Sequence, residues 1–108
     1  MNPQEQNQEI SAEIRKQVGL KKRIVFVSGN FNTIHPGHFR LFKFAEECGD
    51  FLVIGVTDNA AAGVLVPEEL RLEGVRSINY VDYSFILNSP PEQLIQILKP
   101  SVVVKGQE

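Results

Sequence analysis

Residues 24–38 decide the fold, and they read Ile24-Val-Phe-Val-Ser28-Gly-Asn-Phe-Asn32-Thr-Ile-His35-Pro-Gly-His38. The stretch opens on four apolar residues, and such a short continuous run is typical of a strand that is covered on both faces. Gly29 then lets the backbone pass close to a ligand, and Pro36 suits the first turn of a helix, where its missing N–H costs nothing. The stretch therefore predicts a buried strand, a loop and a helix.

The rest of the chain repeats this alternation of strand and helix. Further strand candidates are Phe51–Val56, Ser101–Val104 and, more weakly, Tyr80–Leu87. Apolar residues at helical spacing predict helices over Pro36–Cys48, Pro67–Ile78 and Pro90–Leu98, the last opened by a capping box from Ser89 to Glu92. In the first of these helices we expect Phe39, Phe42 and Phe44 to be core residues and Cys48 to be a buried apolar residue at the helix end. Strands that alternate with helices of this length predict an α/β fold with a parallel sheet.

The first 20 residues differ in character and predict an N-terminal helical extension, which leaves residues 21–108 as the α/β domain. Asn2 and Glu5 can cap the start of this helix. Ile10, Ile14 and Val18 form a thin apolar stripe along it. Two interpretations of the stripe stay open, because it can pack on its own domain or on a second copy in a homodimer.

Composition limits the possible classes of protein. A chain of 108 residues with 43% apolar residues is one domain of an ordinary globular kind. One cysteine cannot form an internal disulfide, and with two histidines it cannot complete a closed zinc site. The net charge of −2 argues against a nucleic-acid partner, and no apolar run has the length of a membrane span. We expect a cytoplasmic protein.

The two histidines of the chain, His35 and His38, flank Gly37 at the start of a predicted helix. Ligands of an open parallel sheet bind where helices follow the carboxyl ends of strands, and free N–H groups at a helix start suit an anion. Gly37 is expected to leave room for that anion. The residues favour a phosphate-handling pair, while a capping pair and a metal site remain alternatives. Neither a glycine-rich dinucleotide fingerprint nor a Walker P-loop is present in the sequence.

The stretch also resembles the signature of the cytidylyltransferase-like nucleotidyltransferases, in which Gly-x-Phe-Asp is followed by His-x-Gly-His. Three further segments, Cys48-Gly-Asp50, Glu69-Leu-Arg71 with Val81-Asp82, and Val104-Lys105-Gly106, are similar to other motifs of that family. The last of them resembles adenylyltransferase domains of the ADP-heptose synthase type, and there is also a likeness to glycerol-3-phosphate cytidylyltransferases. The resemblance covers residues 23–108.

The resemblance implies a Rossmann-like, three-layer α/β/α domain that transfers CMP or AMP from CTP or ATP, with Mg²⁺, to a phosphorylated sugar or polyol. Pyrophosphate would leave, and His35 and His38 would be catalytic. No protein ligand to a metal is implied. The nucleotide would be bound by Ser28, Gly29, Asn30, Phe31, Asn32, Gly37, Arg40, Arg71, Lys105 and Gly106.

Three departures from the family pattern keep a second hypothesis open. Asn32 stands where the pattern has aspartate, and residues 57–70 contain no lysine, although family members usually carry one after the second strand. The Ser/Thr-rich segment of the family is also absent, so we expect a domain truncated at its C-terminus. The alternative is a catalytically weakened nucleotide-binding or assembly module of a larger, possibly kinase-fused protein.

Overall fold

The computed structural model describes residues 2–19 and 23–105. Its elements alternate as the sequence predicts, and they confirm the α/β class. In chain order they are α1 (Pro3–Val18), β1 (Ile24–Gly29), α2 (Pro36–Glu47), β2 (Phe51–Thr57), α3 (Glu68–Arg76), β3 (Tyr83–Leu87), α4 (Pro91–Leu98) and β4 (Val102–Lys105).

The four strands form one sheet in the order β3-β2-β1-β4, and every neighbouring pair is parallel. Successive residues of β1 point to opposite faces because side chains alternate along a strand. Val25 and Val27 join the cluster that contains Phe42 of α2 and Val75 of α3. The other face of β1 packs against α1 and α4. The fold is therefore the expected Rossmann-like arrangement of three layers.

Helix α1 is one half of the layer on that second face. Its predicted cap is confirmed, because Glu5 N–H donates to Asn2 Oδ1 at 2.8 Å. Ile14 is fully buried in the cluster with Phe26, and Arg15 Nη2 donates to the carbonyl of Leu98 at the end of α4. The apolar stripe thus packs on the sheet of its own chain, which is the first of the two open interpretations.

Two expectations about side chains are wrong. Phe39 and Phe44 of α2, predicted with Phe42 as core residues, are 46% and 59% exposed. A helix that lies on a sheet turns only one side toward it, so the sheet covers Phe42 while residues further round the helix stay in solvent. Cys48, expected to be buried, is half-buried at the C-cap of α2.

The start of α4 also differs from the prediction. The helix begins at Pro91, and its N-cap Pro90 makes no side-chain capping bond. Ser89 is not the cap, because its Oγ accepts a hydrogen bond from Asn7 Nδ2 of α1 at 2.9 Å. A long-range partner has therefore taken the hydroxyl that the local pattern assigned to the helix.

The other element boundaries shift by a few residues. Strand β3 begins at Tyr83 rather than at residue 80, because Asp82 Oδ2 accepts from Leu52 N–H at 2.8 Å just ahead of it. Asp50 plays a similar part, since its Oδ2 accepts from Arg23 N–H immediately before β1. Each aspartate of the family-like motifs thus accepts a hydrogen bond from a backbone N–H at or next to the start of a strand.

Candidate active site

The site lies where the strand order reverses. From β1 the chain moves outward to β2 and β3, and then returns to pair β4 with the opposite side of β1. Open parallel sheets bind their ligands at such a point, beyond the carboxyl ends of the strands. Here a cleft of about 430 Å³ is lined by His35, Gly37, His38, Leu41 and Lys105.

The two histidines cap the helix for each other. His35 is the N-cap residue of α2, and its Nδ1 accepts from Gly37 N–H at 3.0 Å. His38 Nδ1 accepts in turn from His35 N–H at 3.3 Å, and the ring centroids lie 4.1 Å apart. Because each Nδ1 offers its lone pair to a backbone N–H, the neutral tautomer carries its proton on Nε2. Both rings are thus held as Nε2–H donors, His35 exposed and His38 buried.

Gly37 makes this arrangement sterically possible. A Cβ at this position would lie 2.7 Å from Cε1 and 3.0 Å from Nδ1 of His35. The missing side chain therefore leaves room for the His35 ring, a use that the sequence did not suggest. Arg40 is exposed one turn further along, and its Nη2 would lie 4.0 Å from the same Cβ. That distance places a cation beside the first turn of α2.

Phe31 lies beneath the histidines in an unusual backbone conformation. Its φ is 51°, in the left-handed region that costs a non-glycine residue about 1–2 kcal/mol. The ring is 1% exposed and packs edge-on against His38 and Phe42, at centroid distances of 5.4 and 5.5 Å. Gly29 allows the ring to fold back, because a Cβ there would lie 3.0 Å from Phe31 Cζ. Phe31 is a buried contact of His38.

The two asparagines beside Phe31 hold the loop between β2 and α3, residues 58–67. Asn30 Nδ2 donates to the carbonyl of Ala62 at 3.1 Å. Asn32 Nδ2 donates to the carbonyl of Gly63 at 2.9 Å, while its Oδ1 accepts from Leu65 N–H at 2.7 Å. In the structure, both side chains therefore bind protein groups of this loop.

Arg71 lies behind the same loop and is 2% exposed. Its Nε donates to the carbonyl of Val66 at 2.6 Å, and its Nη1 donates to the carbonyl of Asn30 at 2.8 Å and to Thr57 Oγ1 at 3.2 Å. Each of these acceptors is neutral. The guanidinium thus joins three segments of the chain and is shielded from solvent, and Arg71 is not among the residues that line the cleft.

The remaining predicted residues lie toward the carboxyl ends of two neighbouring strands, β1 and β4. Ser28 is buried in β1, where it pairs with Gly55 of β2 and with Lys105 of β4. Lys105 is exposed and lines the cleft, so it supplies a cation there. Gly106 lies outside the described residues.

Sequence reasoning missed Thr57 and Asn59 as partners of this network. Thr57 Oγ1 donates to Asn30 Oδ1 at 2.6 Å. Asn59 Oδ1 accepts from Arg71 Nη2 at 3.5 Å and from Glu68 N–H at 2.8 Å. A threonine at a strand end and an asparagine in a loop are too common to stand out in a sequence. The one signal in the sequence is that Thr57 lies at the carboxyl end of a strand, where parallel sheets bind their ligands.

Among the residues that the structure describes, those that line the cleft include no carboxylate, which is the protein ligand that Mg²⁺ prefers. Across residues 2–19 and 23–105, no three His, Cys, Asp or Glu side chains cluster so that they could hold a metal ion. Mg²⁺ prefers several oxygen ligands and is often shared with substrate phosphates.

In the same part of the chain, no helix has the length and apolar character that crossing a bilayer requires.

Comparison with known proteins identifies the family of this chain. The sequence matches the model of the cytidylyltransferase-like family over residues 26–108, which includes both histidines. The chain belongs to the cytidylyltransferase-like family. Most of its length, and the whole of the cleft described above, falls within that match.

Several relatives carry the name bifunctional protein HldE. The chain is 36% identical to the one from Nitratiruptor sp. over 90% of its length, which is 22% of that protein. It is 34% identical to the one from Helicobacter pylori strain G27 over 82% of its length, which is 21% of that protein. The chain thus spans about a fifth of these curated relatives.

A solved structure supports the fold. The crystal structure of the lipopolysaccharide core biosynthesis protein from Thermoplasma volcanium superposes with a TM-score of 0.71 at 22% sequence identity. The match covers 77% of this chain and 73% of that one. At this identity the likeness concerns the fold alone, and it agrees with a Rossmann-like domain.

Proposed function

We propose that this domain transfers a nucleotidyl group, CMP or AMP, from CTP or ATP to a phosphorylated sugar or polyol and releases pyrophosphate. The observation that carries the proposal is the pair His35 and His38, capped on each other at the N-terminus of α2 with both Nε2 atoms as donors. The family match supports the reaction class.

The proposed reaction needs no general base. The attacking oxygen belongs to a phosphate of the acceptor, which is already ionised near neutral pH. A bond forms between this oxygen and the α-phosphorus, the bond from the α-phosphorus to the bridging oxygen breaks, and pyrophosphate leaves with the electron pair. No proton has to be removed, so catalysis consists of positioning and of stabilising charge.

The residues of the cleft suit that task. The Nε2–H groups of His35 and His38 would donate to oxygens of the triphosphate, and the positive end of α2 would add to the attraction. Lys105, on the facing strand end, would neutralise further charge. Mg²⁺ would arrive on the phosphates of the nucleotide and screen their charge. Gly106 and Arg40 remain proposed nucleotide contacts.

The proposed location is the cytoplasm. Cys48 is a free thiol, and free thiols suit a reducing compartment. The proposed partners are the nucleotide and the phosphorylated acceptor, without nucleic acid or membrane. A homodimer would have to form through a surface other than the buried stripe of α1.

A second candidate is nucleotide binding without transfer. It is favoured by the loop after β2, which has no lysine and is held by Asn32 through an amide where the family pattern has a carboxylate. Such a module would keep the cleft between His38 and Lys105 and lack part of the charge that transfer requires.

Pyrophosphate release separates the two candidates. The chain would be incubated with CTP or ATP, Mg²⁺ and a panel of sugar and polyol phosphates. Under the first proposal, His35→Ala and His38→Ala each lower turnover by at least about 10²-fold, the scale for one lost transition-state donor. Lys43→Ala, on the exposed side of the same helix, is the matched control and should keep full turnover. Binding of a nucleotide without any release would instead favour the second candidate.

A further inference from the structure

The strained residue of the site is fixed from both sides. Phe31 has a φ of 51°, and the residues before and after it, Asn30 and Asn32, both bind the loop of residues 58–67. A conformation of this kind persists only where the surroundings over-determine it, and it is concentrated at functional sites. The hydrogen bonds of the two asparagines are part of the surroundings that hold Phe31 in this conformation.

On the first side, Asn30 is held at three atoms. Thr57 Oγ1 donates to its Oδ1 at 2.6 Å, and its Nδ2 donates to the carbonyl of Ala62 at 3.1 Å. The carbonyl of Asn30, which belongs to the peptide unit it shares with Phe31, accepts from Arg71 Nη1 at 2.8 Å. Rotation of this peptide would therefore break a bond to a buried cation.

On the second side, Asn32 needs its amide. Nδ2 donates to the carbonyl of Gly63 at 2.9 Å, and Oδ1 accepts from the N–H groups of Leu65 and Val66 at 2.7 and 3.2 Å. A carboxylate can accept the last two bonds but cannot donate the first. The asparagine at this position, a departure from the family pattern, is thus the side chain that satisfies all three groups.

The held residue contacts a histidine of the site. The Phe31 ring meets the His38 ring edge-on at 5.4 Å, and His38 is 3% exposed. We propose that Asn30 and Asn32 are positioning residues for His38, because they clamp both sides of Phe31 to the 58–67 loop and so fix the ring against which the imidazole packs. The chemical importance of His38 rests on the proposed function, whereas the clamp is a property of the protein without nucleotide.

Nuclear magnetic resonance of the ligand-free chain tests the clamp. The protein is labelled at histidine Cε1, and the two histidine signals are assigned with His35→Gln. Asn32→Ala removes all three bonds, so the amide exchange of Leu65 and Val66 should rise at least about tenfold, as expected for a loop that opens locally. In the same variant the His38 signal should shift or broaden. Asn79→Ala, at an exposed asparagine of the turn after α3, is the matched control and should leave both readouts unchanged.

Each other result decides against the proposal. Faster exchange of the loop with an unchanged His38 signal would show a loop tether that does not position the histidine. Unchanged exchange would show that Asn32 does not clamp the loop. Asn32→Asp, which keeps the acceptor and loses the donor, should give a His38 signal between those of Asn32→Ala and the unsubstituted chain.

A milder variant covers the case in which Asn32→Ala does not fold. Thr57→Val removes the hydroxyl that binds Asn30 Oδ1 and keeps the shape of the side chain. It should move the His38 signal in the same direction by a smaller amount, and a signal identical to that of the unsubstituted chain would overturn the proposal. Since no nucleotide is present, a failure of the clamp is distinct from a failure of the proposed transfer.

Discussion

Gly37→Ala should separate the proposed nucleotidyl transfer from the stability of this domain. A Cβ at residue 37 would lie 2.7 Å from Cε1 of His35, whereas ordinary contacts begin near 3.4 Å. The His35 ring must therefore retreat by about 0.7 Å, and this exposed ring can do so by a change in its two side-chain torsions. The backbone need not change, since Gly37 is a residue of α2 with φ outside the positive region.

The expected effect on stability is small because two terms oppose each other. Displacing the ring loses the bond from Gly37 N–H to His35 Nδ1, and losing a side-chain cap costs about 1 kcal/mol. Alanine favours the helix over glycine by up to about 1 kcal/mol. The free energy of unfolding should thus change by less than about 1 kcal/mol. A displacement near 1 Å at a catalytic group can, however, lower turnover by about 10²-fold.

Urea denaturation and pyrophosphate release measure the two effects side by side. Gly74→Ala in α3 is the control, because its Cβ would lie 3.3 Å from Cγ1 of Ile34, a contact that a small shift of the Ile34 side chain relieves. It should keep both turnover and stability. The reasoning is refuted if Gly37→Ala retains full turnover, or if it loses several kcal/mol of stability, since either result would mean that the alanine is accommodated in some other way.

Three further changes test the packing. Ile14→Ala should lower the free energy of unfolding by about 2–5 kcal/mol in urea denaturation, because Ile14 is fully buried under the sheet, and a negligible loss would show that α1 is not part of the core. Arg71→Met should cost about 1–3 kcal/mol in the same assay, because buried carbonyls lose their donor, and an unchanged midpoint would contradict that role. Burial raises the pKa of Tyr83 above 10.0, and the carboxylate of Glu13 raises it further. The contribution of Tyr83 to the free energy of unfolding is therefore complete below pH 10 and is lost as the pH rises through the folded pKa. From pH 9 upward, the free energy of unfolding should fall less steeply with pH in Tyr83→Phe than in the unsubstituted chain, and equal slopes would refute this assignment.

Much of the fold could be predicted because local patterns and tertiary structure agree. Asn2 and Glu5 cap α1 as the spacing indicates, and the apolar run that begins at Ile24 is a strand buried on both faces. The histidine pair could be located for the same reason, since Pro36 fixes where α2 begins and places His35 at its N-cap.

The predictions that failed concern residues whose roles depend on long-range contacts. Ser89 reads locally as a cap, but Asn7 is more than eighty residues away in the chain and takes its hydroxyl. Phe44 belongs to an apolar stripe, yet the sheet covers only one side of α2. The use of Gly37 depends on where the His35 ring lies, which no spacing reveals.

The network around Arg71 was hidden for another reason. Its partners are two backbone carbonyls, the Thr57 hydroxyl and the Asn59 amide oxygen, and any sequence can supply backbone carbonyls. A buried arginine with neutral acceptors has no sequence signature, whereas the family resemblance implies an arginine beside the nucleotide. The sequence marks Asn32 as a nucleotide contact and as a departure from the family pattern, and its hydrogen bonds to the loop of residues 58–67 become clear only with the fold.

Calorimetric titration with CTP and with ATP, each with Mg²⁺, tests the central claim most directly. The unsubstituted chain should bind one of the two nucleotides, and His38→Ala should weaken that binding at least about tenfold, because a charge-assisted donor of about 1.5–3 kcal/mol is lost. Equal affinity in His38→Ala, or no binding of either nucleotide to the unsubstituted chain, would contradict a nucleotide site built on the two histidines.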